Sequence, residues 1–298
     1  MDRLTTRAFW NGSYEKALAA RGQHSAGSEA PPRKNLLKRV ARRTLGARLV
    51  DDLTSSYTEY LRWNVIYPRY LPKTPGAKVI EIGSAPGHHL VRLRKAFGYE
   101  PFGVEYAPRG AEINREIFAG AGIGRDNVIE ADFFDEGFAD AHREKFDIVI
   151  SGGFIEHFQN AKDVVRRHLD LLKPGGYVVV SIPNFRGLNY LLLRLLQHEV
   201  IPMHNFEIMR LNAFRGLFCP REVECLFCRY FGTFSLGLFD DGDIDVDRPL
   251  QRLIVGSKIL VNPLLHLLPV QIDSRFTSPM LMYIGRKKSS AECGAAVT

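Results

Sequence analysis

The sequence predicts an α/β protein with a doubly wound, seven-stranded, mainly parallel sheet and a helical N-terminal extension. From Lys78 onward, short apolar, β-rich runs alternate with helical patterns, which is the texture that βαβ units produce. The N-terminal region is different, because basic residues crowd it and apolar residues recur there at helical spacing. The chain is therefore divided into an extension, a sheet domain and a short tail.

The predicted strands share short apolar runs rich in β-branched and aromatic residues, and they are Lys78–Ile82, Pro101–Glu105, Asn127–Ala131, Phe146–Ser151, Tyr177–Ile182, Thr233–Phe239 and Met280–Arg286. The predicted helices have apolar residues at helical spacing, and they are Ala8–Ala20, Leu90–Phe97, Arg109–Ala119, Ala161–Leu172, Leu188–Val200, Pro220–Tyr230 and Pro249–Leu268. We predict a helical N-terminal extension or cap over residues 1–75 and a flexible tail over 289–298. The sheet domain then spans 76–288, with insertions near 184–217 and 240–277.

The composition narrows the class of protein. A chain of 298 residues with 45% hydrophobic and 24% charged residues is ordinary for a globular protein, which excludes collagen and mucin classes. The net charge of +7 is compatible with an anionic partner: nucleic acid, lipid headgroups or an acidic substrate. Since the sequence shows no secretory signal, no long uncharged apolar run and no disulfide framework, we expect a cytoplasmic protein, with peripheral membrane contact as an alternative.

One pair of cysteines has the spacing of metal and redox sites. Cys225 and Cys228 form a single Cys-x-x-Cys within the apolar stretch CLFC, and no second pair accompanies them. At helical spacing in an apolar stretch, this pattern favours two buried thiols over a metal site.

The strongest local signal is the segment K-V-I-E-I-G-S-A-P-G-H-H-L. An apolar strand ends there at Gly83, and a helix begins just after Gly87, so the glycines let a ligand approach the backbone of the connecting loop closely. Dinucleotide-binding loops have the spacing G-x-G-x-x-G. Ala85 and His88 stand at the other two glycine positions, so the dinucleotide fingerprint fails.

The spacing E-x-G-x-x-x-G resembles the first motif of the Rossmann-like (class I) S-adenosylmethionine-dependent methyltransferases. The resemblance continues in order along most of the chain from Lys78. F-D-I-V-I-S followed by G-G-F-I-E-H-F resembles the family's segment beside the transferred methyl group, and L-L-K-P-G-G-Y-V-V-V-S-I-P-N resembles its turn into the fifth strand. The resemblance implies the Rossmann-like methyltransferase fold, S-adenosyl-L-methionine as cofactor and methyl transfer as the activity.

The resemblance also implies a set of cofactor contacts. Glu105 would bind both ribose hydroxyls, because a carboxylate accepts two hydrogen bonds; the alternative is an ordinary solvated acid at the strand end. Asp132 would accept from the adenine amine while Phe133 packs on the ring, with Asp135 and Glu136 as the alternatives for Asp132. Glu81 would either contact the amino end of the cofactor or bond a nearby backbone amide. The full predicted set is Glu81, Gly83, Ser84, Ala85, Gly87, Glu105, Tyr106, Asp132, Phe133 and Ser151.

Two histidines are the catalytic candidates. His157 follows the fourth strand beside the transferred methyl in the resemblance, and a neutral imidazole is the usual base near pH 7; the alternative is that it positions the loop. His204, with its neighbour Asn205, follows an insertion after the fifth strand and is the second candidate. His88 and His89 are expected to serve the helix start, and the sequence predicts no metal site.

The acceptor is not fixed by the resemblance. The favoured hypothesis is an oxygen or nitrogen of a small molecule, because the apolar insertions would supply pocket walls and no RNA-binding module accompanies the domain. The alternatives are RNA, or a lipid or quinone at an anionic membrane surface, both through the cationic amphipathic residues 33–48. A cofactor-binding regulator without catalysis and a nicotinamide oxidoreductase are the competing classes, and the oligomeric state is not predicted.

Overall fold

The computed structural model describes residues 2–26, 56–235, 264–266, 272–289 and 292. The basic segment 33–48, residues 236–239 of one predicted strand and most of the predicted helix Pro249–Leu268 lie outside the described residues. Most of the predicted insertion 240–277 and of the predicted tail lies outside them as well.

The sheet has seven strands in the order β3-β2-β1-β4-β5-β7-β6, which confirms the predicted fold class. The strands are β1 Lys78–Ile82, β2 Glu100–Glu105, β3 Val128–Glu130, β4 Phe146–Gly152, β5 Leu172–Pro183, β6 Val223–Phe231 and β7 Met280–Lys287. Strands β1 to β5 are parallel, while β7 runs antiparallel to both β5 and β6. The strand order reverses between β1 and β4, and ligands of doubly wound sheets bind outside the carboxyl ends of the strands at such a point.

Helices lie on both faces of the sheet. The α-helices are α1 Arg7–Ala26, α2 Tyr57–Tyr60, α3 Tyr67–Tyr70, α4 His88–Phe97, α5 Pro108–Gly120, α6 Glu136–His142, α7 Ala161–Leu171, α8 Leu188–Leu196 and α9 Leu211–Arg215. A π-helical turn, Leu61–Ile66, joins α2 to α3, and 3₁₀ turns cover Arg125–Asn127, Ile155–His157, His198–Met203 and Glu207–Met209. No helix among the described residues is long and apolar enough to cross a membrane.

The central strands form because both of their faces are buried. Val79 and Ile80, successive residues of β1, are fully buried in two different apolar clusters, one on each face of the sheet. A strand whose alternate residues enter two cores reads as a continuous apolar run, which is why β1 and β4 were predicted within one residue of their observed bounds. The predicted end of β5 is also within one residue, but β5 begins at Leu172, five residues before its predicted start.

The sixth strand contradicts two predictions. The predicted helix Pro220–Tyr230 is wrong, because β6 occupies most of that range and pairs with β7 from Val223 to Phe231. The predicted strand Thr233–Phe239 is wrong over 233–235, which adopt no strand, and Thr233 has a positive φ of 52°. Valine, phenylalanine, tyrosine and cysteine fit a half-buried pleated surface, so pairing with β7 determined the structure where spacing alone favoured a helix.

The predicted helical setting of the cysteine pair is wrong for the same reason. Cys225 and Cys228 lie on β6 rather than on a helix, with a register shift between Cys225 and Phe227. Both thiols are free and half-buried against one apolar core, so the packing role that was predicted is retained on a different element.

Candidate functional site

A cavity of about 130 Å³ lies at the carboxyl ends of β1, β2, β3 and β4, beside the reversal in strand order. Its wall comes from the sheet and from the N-terminal segment, and it includes Arg3, Tyr14, Gly83, Ala85, Glu105 and Asp132. The cavity is therefore where the doubly wound topology places a ligand.

The loop from β1 to α4 needs its glycines. Gly83 has φ +71°, and a Cβ there would lie 3.0 Å from the ring of Phe154. Gly87 has φ +97°, and a Cβ there would lie 2.1 Å from Oδ1 of Asn114. Only glycine adopts these conformations without strain, and the resulting turn brings the Ala85 side chain to the cavity.

Ser84 and Gly87 support the loop rather than line the cavity. The Asn114 side-chain amide donates to Ser84 Oγ at 2.5 Å, and both side chains are buried. The predicted loop residues therefore have two roles. Gly83 and Ala85 lie in the cavity wall, while Ser84 is hydrogen-bonded to Asn114 of α5 and Gly87 packs closely against the same side chain.

Glu105, the last residue of β2, points its carboxylate into the cavity wall and is 3% exposed. The backbone N–H of Ala107 donates to its Oε1 at 2.9 Å, and the hydroxyl of Tyr14 lies 3.4 Å from its Oε2. Burial raises the pKa of this carboxyl, against hydrogen bonds that lower it. The backbone N–H groups of Ala85 and Tyr106 also lower this pKa by hydrogen bonding, so the roughly four acceptor positions of the ionised carboxylate are shared, and a ligand diol would replace the Tyr14 contact.

Glu81 and Ser151 lie just behind the cavity. His89 Nδ1 is 2.7 Å from Oε1 of Glu81, and the other nitrogen of the same ring is 3.2 Å from the hydroxyl of Tyr67. Oε2 of Glu81 and Oγ of Ser151 are buried and have no hydrogen-bond partner among the described residues. The first of the two roles predicted for Glu81 therefore has a free acceptor, and His89 orients that carboxylate at the start of α4.

Asp132 lies in the cavity wall and forms an ion pair with Arg3. Partial burial raises the pKa of Asp132, but the hydrogen bonds from Arg3 and from the Phe134 backbone lower it more, so the net shift is downward. The Arg3 guanidinium also lies 4.9 Å from the ring centre of Tyr106. Arg3 is thus bound to the carboxylate that was predicted to accept from adenine, while Phe133, which is 5% exposed, lines the same cavity.

The N-terminal segment closes the cavity as a lid, which we define as residues 2–14. Its backbone pairs with the loop after β4. The N–H of Leu4 donates to the carbonyl of His157 at 2.8 Å, and in the opposite direction the N–H of Gln159 donates to the carbonyl of Asp2 at 3.1 Å. The Trp10 ring packs edge-on against the His157 ring at 5.2 Å between centres. The sequence predicted an N-terminal cap but none of these residues, and the only signal was an aromatic pair four positions apart, Trp10 and Tyr14.

Replacing Arg3 by alanine is expected to loosen the lid. The lost ion pair with Asp132 is partly buried, and a pair of this kind contributes about 1 kcal/mol, so amide hydrogen exchange in residues 2–14 should accelerate about fivefold. The pair stabilises the lid above the carboxyl's ordinary pKa of 3.8 and is lost as the pH falls through the lowered value. Exchange measured by mass spectrometry checks this, with Arg143→Ala, which removes only exposed pairs, as the control. Equal exchange in Arg3→Ala and the parent would contradict it.

A second, larger cavity of about 640 Å³ adjoins the first. Trp10, Gly153 and His157 line both cavities and form the partition between them. The rest of its wall comes from the 3₁₀ segment before His204, from the loops after β4 and β5, and from α2. A ligand in the first cavity and a second molecule in this one would meet at that partition.

His157 and His204 face the larger cavity with one nitrogen each engaged. Nδ1 of His157 is 2.8 Å from the carbonyl oxygen of Met203, and Nδ1 of His204 is 2.7 Å from that of Val200. A nitrogen this close to a carbonyl oxygen carries the ring proton, so Nε2 of each ring holds a lone pair. Burial, and for His157 also His204, lowers the pKa of both; that of His157 falls to about 4. Both imidazoles are neutral at pH 7.

Glu156, which sequence analysis missed, lies beside these histidines. It is 1% exposed, burial raises the pKa of its carboxyl to about 8, and its Oε2 has no partner among the described residues. Glu156, His157 and His204 each offer one ligand atom, and all three atoms lie within 4.8 Å of one another. Nothing in the pattern G-G-F-I-E-H-F distinguished this glutamate from a solvated one.

Asn205 forms hydrogen bonds with backbone carbonyls of the neighbouring segment. Its N–H donates to the carbonyl of Glu156 at 2.7 Å, and its side-chain amide donates to the carbonyls of Phe158 and Gln159 at 3.0 and 3.3 Å. It ties the segment carrying His204 to the 3₁₀ turn carrying Glu156 and His157, so it positions the site without lining the larger cavity.

Comparison with known proteins places these observations in a family. The sequence matches the methyltransferase domain family over residues 57–220, which is more than half of the chain. No curated protein matches the chain in sequence.

Solved structures share the fold at low identity. A putative sarcosine dimethylglycine methyltransferase from Galdieria sulphuraria is 17% identical, with a TM-score of 0.51 over 81% of this chain and 87% of that one. A geranyl diphosphate C-methyltransferase from Streptomyces coelicolor A3(2) is 13% identical, with a TM-score of 0.51 over 78% and 79%. The [4+2]-cyclase SpnF is 12% identical, with a TM-score of 0.52 over 80% and 85%. At these identities the likeness concerns the fold alone.

Proposed function

Since the chain belongs to the methyltransferase domain family, which implies S-adenosyl-L-methionine as cofactor, we propose that it transfers a methyl group to an oxygen or nitrogen of a small molecule. The observation that carries the proposal is the pair of adjoining cavities. One is lined by Glu105 and the glycine loop, the other measures about 640 Å³, and Trp10, Gly153 and His157 line both.

The first cavity fits the cofactor in its polar groups. Glu105 lines the cavity and would accept from the two ribose hydroxyls as Tyr14 moves with the lid, and the orphaned Oε2 of Glu81 lies just behind the cavity wall. Gly83 lines the cavity without a Cβ that would keep a ligand away. The present volume, about 130 Å³, is below the roughly 300 Å³ lower bound for ligand pockets, so we expect the lid to shift when the cofactor enters.

The chain's own contribution to transfer would be alignment and exclusion of water. The cofactor supplies a methyl group already activated by its sulfonium. The lid covers the partition and keeps water from it, and Gly153 leaves the partition narrow. The Nε2 lone pairs of His157 and His204 face the acceptor side, where a hydroxyl or a protonated amine must lose a proton.

The wall of the larger cavity supports a small molecule over RNA. Among the described lining residues, Glu59, Glu156 and Glu199 outnumber Arg62, the one lysine or arginine there. Such a wall offers few cationic contacts, whereas RNA binding depends on cationic contacts with phosphates. The apolar part of the wall, which includes Val200 and Met203, suits the body of an organic acceptor.

The test is transfer of label. The protein is incubated with methyl-labelled S-adenosylmethionine and fractionated cell extract, and label is expected in a small molecule, in amounts equal to the S-adenosylhomocysteine released. Label in RNA or in lipid would overturn the proposed acceptor. Calorimetry is the companion measurement: S-adenosylhomocysteine is expected to bind and NAD is not, and equal or tighter NAD binding would overturn the cofactor.

A further inference from the structure

We propose that Glu156, His157 and His204 form a divalent-cation site in the wall of the larger cavity, and that the cation binds a hydroxyl oxygen of the acceptor. The first half stands on the geometry of the three side chains. The second half rests on the proposed function, because it takes the larger cavity to be the acceptor chamber.

The three ligand atoms are close enough for one ion. They lie within 4.8 Å of one another, and the two histidine rings are 4.7 Å apart between centres. Ligands of a tetrahedral cation, bonded at about 2.0–2.2 Å, are about 3.4 Å apart. The three side chains must therefore move together by up to about 1.4 Å to close the site.

The hydrogen bonds of the two histidine rings are those of metal-binding imidazoles. A metal-ligating imidazole donates its other N–H to a carbonyl or carboxylate, which fixes the tautomer and the ring orientation. His157 and His204 both do this, through Nδ1 and the carbonyls of Met203 and Val200, so Nε2 of each ring is left to bind. Two separate segments of the chain thus each bring a histidine with the same nitrogen engaged to the three-residue cluster.

Glu156 supplies an independent observation. Glu156 is 1% exposed, and its Oε2 has no partner among the described residues; such a buried polar atom is costly, in the neutral as in the ionised carboxyl, unless another group compensates it. No lysine or arginine among the described residues forms an ion pair with it. A cation between this oxygen and the two Nε2 atoms would provide the missing partner, and the Asn205 tether to the Glu156 carbonyl holds the two segments in register.

The ligand set selects the class of cation. Two imidazoles and one carboxylate suit zinc and the divalent transition metals from manganese to cobalt, and three protein ligands leave coordination positions open. Those positions lie on the side of the larger cavity, which all three residues line. An acceptor hydroxyl there would lose its proton to solvent more readily, because the cation stabilises the oxygen anion. The oxygen pair then forms the O–CH₃ bond, the S–CH₃ bond breaks, and sulfur keeps its electron pair.

The site also changes the role of His157. An Nε2 atom bound to a cation has no lone pair left to accept a proton. A base role therefore predicts transfer that is insensitive to metal removal, whereas the cation site predicts transfer that requires the metal.

Cobalt titration of the metal-free full-length protein tests the site. We expect one Co²⁺ per chain with visible ligand-field absorption, displaced by Zn²⁺, and at least tenfold weaker binding in both His204→Ala and Glu156→Gln. Circular dichroism and binding of S-adenosylhomocysteine show that each variant is folded. His198→Ala is the matched control. His198 begins the 3₁₀ turn that directly precedes His204, and 80% of its side chain is exposed, so this variant should bind cobalt as the parent does.

The cysteine pair provides the second control. Cys225→Ser with Cys228→Ser should leave the cobalt spectrum unchanged, and sulfur-to-cobalt charge-transfer bands that vanish in this variant would overturn the site. So would an absence of cobalt binding, or unchanged binding in His204→Ala and Glu156→Gln. Full methyl transfer by chelator-treated protein would overturn the catalytic half while leaving the proposed function intact. Stoichiometric cobalt binding without any methyl transfer would leave the site and reject the function.

Discussion

Glu105→Ala is expected to weaken binding of S-adenosylhomocysteine by about 1–3 kcal/mol, a loss of roughly five- to 150-fold in affinity. Two ribose hydroxyls would lose their acceptor in a buried place, and the carboxylate that now receives the Ala107 N–H would be gone as well. Calorimetric titration of purified, folded protein measures the loss directly.

The test has a graded variant and a control. Glu105→Gln keeps a carbonyl oxygen for the Ala107 N–H but loses the charge and half of the acceptors, so its affinity should fall between those of the parent and Glu105→Ala. Glu100→Gln, at the exposed first residue of the same strand, should bind as the parent does. An unchanged dissociation constant in folded Glu105→Ala would reject the ribose assignment.

The part of the site that lies on the central strands was predictable. Gly83, Ala85, Glu105, Tyr106 and Asp132 all line the cavity, because each follows or ends a strand whose apolar run marks it clearly. Adjacent parallel strands deliver their carboxyl ends to one edge of the sheet. A pattern with correct strand ends therefore gives the site without any knowledge of long-range contacts.

The lid was beyond such reasoning. Arg3 reaches Asp132 across 129 positions, and Tyr14 reaches Glu105 across 91. Periodicity describes neighbours within a few residues, and it contains nothing about which distant carboxylate an arginine will meet. The same limit explains β6, where pairing with β7 decided between a strand and the helix that the spacing favoured.

The candidate acceptor site was predicted only in part from the sequence. His157 was placed because it follows β4, and His204 was placed only by its position after an insertion. The structure brings their rings to 4.7 Å between centres. Glu156 was not selected because a glutamate before a histidine is ordinarily solvated, and only its burial distinguishes it.

His157→Ala is expected to lower turnover with an identified acceptor about a hundredfold or more, while S-adenosylhomocysteine binds as it does to the parent. The loss holds whether Nε2 takes the acceptor's proton or binds a cation, because both remove a contact made on the acceptor side of the partition. Single-turnover rates and the cofactor's dissociation constant, measured on the same preparation, separate the two effects.

The control for His157→Ala is a histidine of similar local structure in another place. His142→Ala removes a ring whose Nδ1 is likewise hydrogen-bonded to a backbone carbonyl, that of Phe138 at 2.9 Å, but which lies on α6 away from both cavities. Its turnover should equal that of the parent. If His157→Ala also stays within about a factor of three, well short of the hundredfold expected of an acid–base group, His157 acts only as scaffold for the lid, through its carbonyl and Leu4. Methyl transfer at this partition would then have to depend on His204 and Glu156 alone.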